Sequence, residues 1–305
     1  MIFWQRRVGR TRPCRKGAFR RGPRAPLLAP LLASRLALFL VVVPPAVQGA
    51  ELPLWEAGVG VGVVDFPDYR GSDYYHTYVL PIPYFVYRGE FLKVDRDSLR
   101  ARFFDSPDVQ LDVSVNGSVP VKSSEDQTRA GMPNLDPSLE IGPALDVTLL
   151  RAEGERIKLD LRLPVRTAEG SNFYHVENIG WISQPALNLD IADPPGWSGA
   201  RLGLQAAALF ADRRFLEYFY GVAPAYATPE RPAYAAHGGY AGSQFTLALS
   251  KRYPGLWVGG FLKWDSLRGA AFEDSPLVRR RSFGSAGVAV SWILGKSETL
   301  VEAEY

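Results

Sequence analysis

The sequence predicts an all-β protein, a single transmembrane antiparallel up-and-down β-barrel of about twelve strands behind a secretory leader. Three observations point there. Apolar and polar residues alternate along most of the chain after position 50. A basic, then apolar, then small-residue segment precedes them. The last residues, Thr299, Val301, Ala303 and Tyr305, alternate with Leu300, Glu302 and Glu304 and end on an aromatic side chain.

Residues 1–50 read as a signal peptide. All ten charged residues in this stretch are basic, among them Arg6, Arg20 and Arg35. The apolar run Leu36-Ala37-Leu38-Phe39-Leu40-Val41-Val42-Val43 follows, then Pro44-Pro45 and Ala46-Val47-Gln48-Gly49-Ala50. The run is shorter than the roughly 20 residues a spanning helix needs, so cleavage after Gly49 or Ala50 is expected rather than an anchor. Residues 51–305 then form one outer-membrane barrel domain, without linker, repeat or low-complexity tract.

Charge is unevenly placed. Of 35 Lys and Arg, ten lie in the leader, which leaves 25 against 32 Asp and Glu in the body. An acidic body excludes a nucleic-acid surface. The one cysteine, Cys14, is in the leader, so the body holds no disulfide, Cys-ligated zinc or Cys nucleophile.

Strand candidates follow in order. In 54–66, Trp55, Ala57, Val59, Val61 and Val63 alternate with Glu56, Gly58, Gly60 and Gly62. In 109–119, Val109 to Val115 alternate with Gln110, Asp112 and Ser114. In 156–166, Ile157 to Val165 alternate with Lys158, Asp160 and Arg162. Phe245, Leu247 and Leu249 mark 240–251, and Val288, Val290, Trp292 and Leu294 mark 282–294. The remaining candidates are 77–88, 90–97, 98–105, 137–149, 179–192, 198–211, 255–265 and 298–305. Taking 90–97 and 98–105 as one bent strand gives an even count of about twelve, as single-chain bacterial barrels require. Loops are expected at 120–135, 167–178, 212–239 and 266–281.

Successive strand side chains point to opposite faces, so each segment has one apolar face. A soluble sandwich turns that face inward, a membrane barrel turns it to lipid. The leader, the aromatic-ended last strand and the aromatics at strand ends (Tyr74-Tyr75, Tyr84-Phe85-Tyr87, Phe103-Phe104, Phe173-Tyr174, Tyr218-Phe219-Tyr220) favour the barrel, with these aromatics as its interfacial girdles. Val301, Ala303 and Tyr305 would be its assembly signal.

Sites for chemistry are sparse. His76, His175 and His237 are scattered in turn sequence, with no spacing that predicts a metal site or a Ser-His pair. Gly58, Gly60 and Gly62 lack the following helix and Lys of a phosphate loop, and suit the inner side of a tightly curved strand. Arg156, Lys158, Asp160 and Arg162 would line a pore or neutralise one another. Arg279-Arg280-Arg281 reads as a solvated loop or as a contact for lipid phosphate or an acidic partner. No enzyme and no cofactor is expected.

The stretch Ala211 to Ala236 resembles the MipA/OmpV family of outer-membrane proteins. It carries Asp212, Arg213, Arg214, Tyr218, Tyr220, Gly221, Arg231 and Tyr234, and the pattern continues in Gly239-Tyr240 and in Asp274-Ser275-Pro276-Leu277-Val278. An earlier echo is Pro67-Asp68-Tyr69-Arg70-Gly71-Ser72-Asp73. The likeness extends over nearly all of 54–305. The terminal Tyr305 departs from the Phe that more often ends such barrels. The resemblance implies an outer-membrane barrel in contact with lipid and, by analogy with the founding member, a scaffold joining a lytic transglycosylase to a penicillin-binding protein. A small-solute channel is the alternative. Read physically, Arg213, Arg214 and Arg231 would pair with Asp212, Glu217 and Glu230, either packing a loop over the barrel mouth or presenting a partner site.

Overall fold

The computed structural model describes residues 51–88, 92–94, 99–101, 108–152, 154, 156–172 and 174–302. The expected signal peptide, Ala303 and Tyr305, and the aromatics Phe103, Phe104 and Phe173 lie outside the described residues.

Period-two segments become strands, and the strands close on themselves. In chain order they are β1 (Glu51–Pro53 continued by Trp55–Pro67), β2 (Tyr75–Arg88), β3 (Leu92–Val94), β4 (Leu99–Ala101), β5 (Val109–Ser118), β6 (Ser138–Ala152) and β7 (Ile157–Ser171). Then come β8 (Val176–Ser183 continued by Ala186–Ala192), β9 (Ala200–Ala211), β10 (Gly239–Tyr253), β11 (Leu256–Ser266) and β12 (Ser282–Lys296 continued by Leu300–Glu302). Each pairs antiparallel with its neighbours in sequence, and β12 pairs back onto β1, with Val288 opposite Val63 and Leu300 opposite Pro53. Both pieces of β8 lie between β7 and β9, interrupted only at Gln184-Pro185, so they form one strand. Proline 185 has no N–H for the ladder, which explains the break.

Among the described residues the ring therefore holds twelve strands, but not the expected twelve. The expected bent strand is two paired strands, β3 and β4. The expected separate strands 282–294 and 298–305 are one, bulged between Ile293 and Gly295 and rejoined through Ser297 N–H to the Trp55 carbonyl. The expected loop 167–178 shrinks to 172–175, because β7 and β8 continue through a bulge at Ala168/Glu169 held by Asn178 to Thr167 and Glu169.

Burial settles the two readings of the alternation. Val59 is 56% exposed and Leu262 60%, whereas Glu56 and Asp265 are fully buried. Apolar faces outside and charges inside are the inverse of a soluble sandwich and the pattern of a lipid-facing barrel. Trp181, Phe210, Tyr240 and Trp264 ring the outer wall near one end, and Trp55, Phe85, Tyr253 and Trp292 near the other. These are the girdle positions. Tyr84 is not among them, since its side chain turns inward to Glu56, and Tyr218 to Tyr220 lie in a helix at the barrel mouth.

Gly58, Gly60 and Gly62 face inward. A Cβ at Gly58 would stand 1.9 Å from the Trp292 carbonyl oxygen, so β1 and β12 can approach there only without a side chain. The long connections 68–74, 119–137, 212–238 and 267–281 all leave the same end of the barrel. The short turns 153–156, 193–199 and 254–255 sit at the opposite end, with both ends of the described chain.

Candidate functional site

The long connections fold over the barrel mouth as an interlocked cap. Its centre is α1 (Arg213–Tyr220), a helix in a stretch where the sequence suggested only a loop. Asp212 caps it, its Oδ1 accepting from Phe215 N–H at 2.8 Å. Phe215, Leu216 and Tyr220 form its buried face. The signal was present: an Asp N-cap followed by apolar residues at 215, 216, 219 and 220, the i and i+4 spacing of a helix. Gly180 in β8 has φ +124°, and a Cβ there would meet Asp212 Oδ1 at 2.3 Å, so this glycine seats the helix start.

After α1 the chain doubles back. Val222 and Tyr234 exchange backbone hydrogen bonds of 2.8 and 3.0 Å, and Glu217 Oε2 accepts from Ala236 N–H at 2.6 Å. Arg231 is buried and donates to four backbone contacts: the Tyr226 carbonyl at 2.7 and 3.2 Å, Thr128 at 2.9 Å and Ala130 at 3.0 Å. It thereby ties segment 212–238 to segment 119–137. A second tie runs back from that segment, where buried Arg129 donates to the Phe219 carbonyl at 3.0 Å and Asp136 N–H donates to Tyr218 Oη at 2.8 Å.

Tyr220 joins the other two connections. Its hydroxyl donates to the Arg70 carbonyl at 2.9 Å, its ring stacks on Phe272 at 3.7 Å, and its own carbonyl accepts from Ser275 Oγ at 2.8 Å. Tyr69 Oη donates to the Leu277 carbonyl at 2.9 Å, and the Gly71 carbonyl accepts from Arg279 and Arg280 N–H. Burial pushes both phenols far above the usual tyrosine range, so they remain neutral donors. Burial also raises the Asp126 carboxyl and lowers the Arg129 guanidinium.

The three stretches that carry the family resemblance thus meet in one place. The expected carboxylate pairing is corrected, however. Asp212 caps a helix, Glu217 holds a backbone N–H, and Arg231 binds carbonyls. Arg214 pairs with Glu177 at 3.3 Å on the surface, and Arg213 is exposed. Sequence spacing gave no warning, because the carbonyl partners of Arg231 on Thr128 and Ala130 are about a hundred residues away. Gly221 closes α1, with its N–H on the Glu217 carbonyl. Gly239 begins β10, Tyr240 faces outward against Phe210, and Pro276 is half-buried beside Ser275. Val301 lies in β12. Arg281 meets Glu273 at 2.9 Å on the exposed rim.

Beneath the cap a polar belt crosses the inner wall. Glu140 accepts from Asn116 Nδ2 at 3.1 Å and from Arg166 Nε at 2.9 Å, and Arg166 donates to Gln184 Oε1 at 3.1 Å. Gln184 donates to Gln244, Gln244 to Asp265 Oδ1 at 3.3 Å, and Arg70 Nε to the same oxygen at 2.9 Å. Lower down, Arg162 meets Asp146 at 3.1 Å and Lys158 meets Asp160 at 3.1 Å. At the short-turn end Arg252 reaches Glu56 across β11 and β12, and Tyr84 donates to the same carboxylate at 3.0 Å. Between cap and lower wall lies a cavity of about 650 Å³. His76 holds Asp68 at 2.5 Å, His175 and His237 are exposed, and among the described residues no cluster of His, Cys, Asp or Glu could hold a metal ion.

A family model described as MltA-interacting protein MipA matches residues 59–294. No curated protein sequence matches the chain. Among solved structures, a NanC porin in a rhombohedral crystal form aligns at 8% identity and a TM-score of 0.37, covering 78% of this chain and 100% of that one. The COG4313 outer membrane channel from Pseudomonas putida F1 aligns at 11% identity and a TM-score of 0.43, covering 83% and 100%.

Proposed function

Since the chain belongs to the MltA-interacting protein MipA family and is an outer-membrane β-barrel protein, we propose that it is a non-enzymatic scaffold linking a murein-degrading lytic transglycosylase to a murein-synthesising penicillin-binding protein. The observation that carries this reading is the cap over the lumen. A cap fixed by buried Arg129, Arg231, Tyr69 and Tyr220 covers one end, and the Arg252–Glu56 pair crosses part of the other. A barrel of this size is narrower than the 16–18-stranded barrels that leave an aqueous channel, and the charged side chains paired along its inner wall narrow it further.

The short-turn end is the periplasmic end by the usual asymmetry of such barrels, and murein enzymes would meet it there. The test is capture of an MltA-type lytic transglycosylase on immobilised barrel, run beside conductance in planar bilayers. Retention of the enzyme with no steady conductance is expected. Steady conductance without retention overturns the scaffold and favours the second reading, a small-solute channel, for which the cavity of about 650 Å³ is the supporting feature.

A further inference from the structure

The cavity under the cap has more chemistry than a scaffold needs. Its volume, about 650 Å³, lies within the range of small-molecule sites, which are mostly apolar with a few placed polar groups. Aromatic rings supply much of its lining, including Phe66, Phe219, Phe261, Phe272 and Phe283.

The charged groups on its wall are nearly all engaged. Arg166 holds Glu140, Arg162 holds Asp146, Arg70 holds Asp265 and His76 holds Asp68. Lys263 is the exception: among the described residues its ammonium has no hydrogen bond or ion pair. Ser285 likewise has no hydrogen-bond partner for its hydroxyl among the described residues.

These two donors are neighbours by construction. Lys263 on β11 stands directly opposite Ser285 on β12, on the inner face, and directly opposed side chains have Cβ atoms about 5 Å apart. The same register puts Phe261 opposite Gly287 and Asp265 opposite Phe283. The Lys–Ser pair is therefore flanked diagonally by two phenyl rings. A Cβ at Gly287 would lie 2.5 Å from the Phe261 ring, so the ring packs against the bare glycine backbone. Asp265, two residues along the same face, does not hold the ammonium: its Oδ1 receives Arg70 and Gln244, and its buried Oδ2 has no hydrogen-bond partner among the described residues.

We propose that this wall is a binding site for a small organic carboxylate with an apolar body, the carboxylate held by Lys263 Nζ and Ser285 Oγ and the body packed between Phe261 and Phe283. The site is independent of the scaffold role. A charge-assisted pair of donors in a semi-enclosed, aromatic-walled space favours an anion over its neutral isostere.

Calorimetric titration of the full barrel in detergent micelles with benzoate, and separately with benzamide, tests it. Benzoate is expected to bind at least tenfold more tightly than benzamide. Lys263→Gln should weaken benzoate at least tenfold and leave benzamide unchanged, Ser285→Ala should weaken it about threefold, and Lys263→Arg should retain it. Equal binding of the two probes, no benzoate binding, or undiminished binding in Lys263→Gln overturns the site. Should Lys263→Gln fail to fold, reductive methylation of Lys263 in the unaltered protein decides. Benzoate must slow it at least threefold and benzamide must not; equal labelling in both overturns the proposal.

Discussion

Replacing Arg231 by Ala removes the guanidinium that binds the Tyr226, Thr128 and Ala130 carbonyls. Each charge-assisted hydrogen bond is worth ~1.5–3 kcal/mol net. They share one side chain and do not add, so the better guide is the cost of leaving buried carbonyls unpaired, about 1–3 kcal/mol each and about 3 kcal/mol together. Arg231 is 8% exposed, so solvent recovers little of that. The loss falls on the cap, because no partner of Arg231 lies in a strand. Taking about 3 kcal/mol at 1.4 kcal/mol per tenfold, hydrogen exchange at the Val222 and Tyr234 amides should quicken about a hundredfold. Those amides bond to each other across the base of the strap and report its opening directly. Amides of β10 such as Leu247 and Ala248 should be unaffected. Exchange unchanged at Val222 and Tyr234 would refute the clamp, and equal acceleration in β10 would show that the cap and barrel unfold together.

Two further outcomes follow from the same geometry. Burial raises the Asp126 carboxyl, opposed by its hydrogen bond from Thr128 N–H, reinforced by Asp68 and opposed by Arg129. The folded state therefore binds this proton more tightly than the unfolded chain, and cap stability falls as pH rises from the ordinary carboxylate range through the raised folded value, then levels off. Asp126→Asn keeps the acceptor for Thr128 without the charge, so its cap protection factors should exceed those of the unaltered protein at pH 7.5 and converge with them at low pH; no gain at pH 7.5 would count against the sign. On the outer wall, Val61→Arg places a charge against lipid near mid-strand, at a cost of ~2–4 kcal/mol. Urea unfolding in vesicles should show that loss, and an unchanged midpoint would mean that Val61 does not face lipid.

The strands were legible because a lipid-facing wall demands an apolar residue at every second position, as from Trp55 to Val63. What escaped was whatever breaks that period without ending the strand. Gly295 and Ser297 read as a turn, yet β12 bulges there and continues beside β1. Tyr84 sits in a run that looks interfacial, yet its parity with Glu56 turns it into the lumen. The helix Arg213–Tyr220 is barely two turns, too short for its period to stand out among the prolines that follow. The cap was least legible of all, because its ties are to backbone carbonyls. Any residue supplies a carbonyl, so the partners of Arg129, Arg231, Tyr69 and Tyr220 carry no side-chain signal in the sequence.

That same fact bears on what the signature stretches are for. Most of the polar atoms of Tyr69, Tyr220, Ser275 and Arg231 that reach the cap are used on other parts of the cap. Groups committed to one another in this way hold a structure shut; they are not left to hold a partner. The exposed members, Arg213 and Arg214, sit at the long-loop end, away from the short turns where a periplasmic enzyme would dock. Arg231→Ala separates the two roles. If the signature seals the lumen and the scaffold works from the other end, the variant loosens the cap and captures the transglycosylase undiminished. If capture fails in step with cap opening, the partner reads the cap itself, and the long-loop end must face the murein.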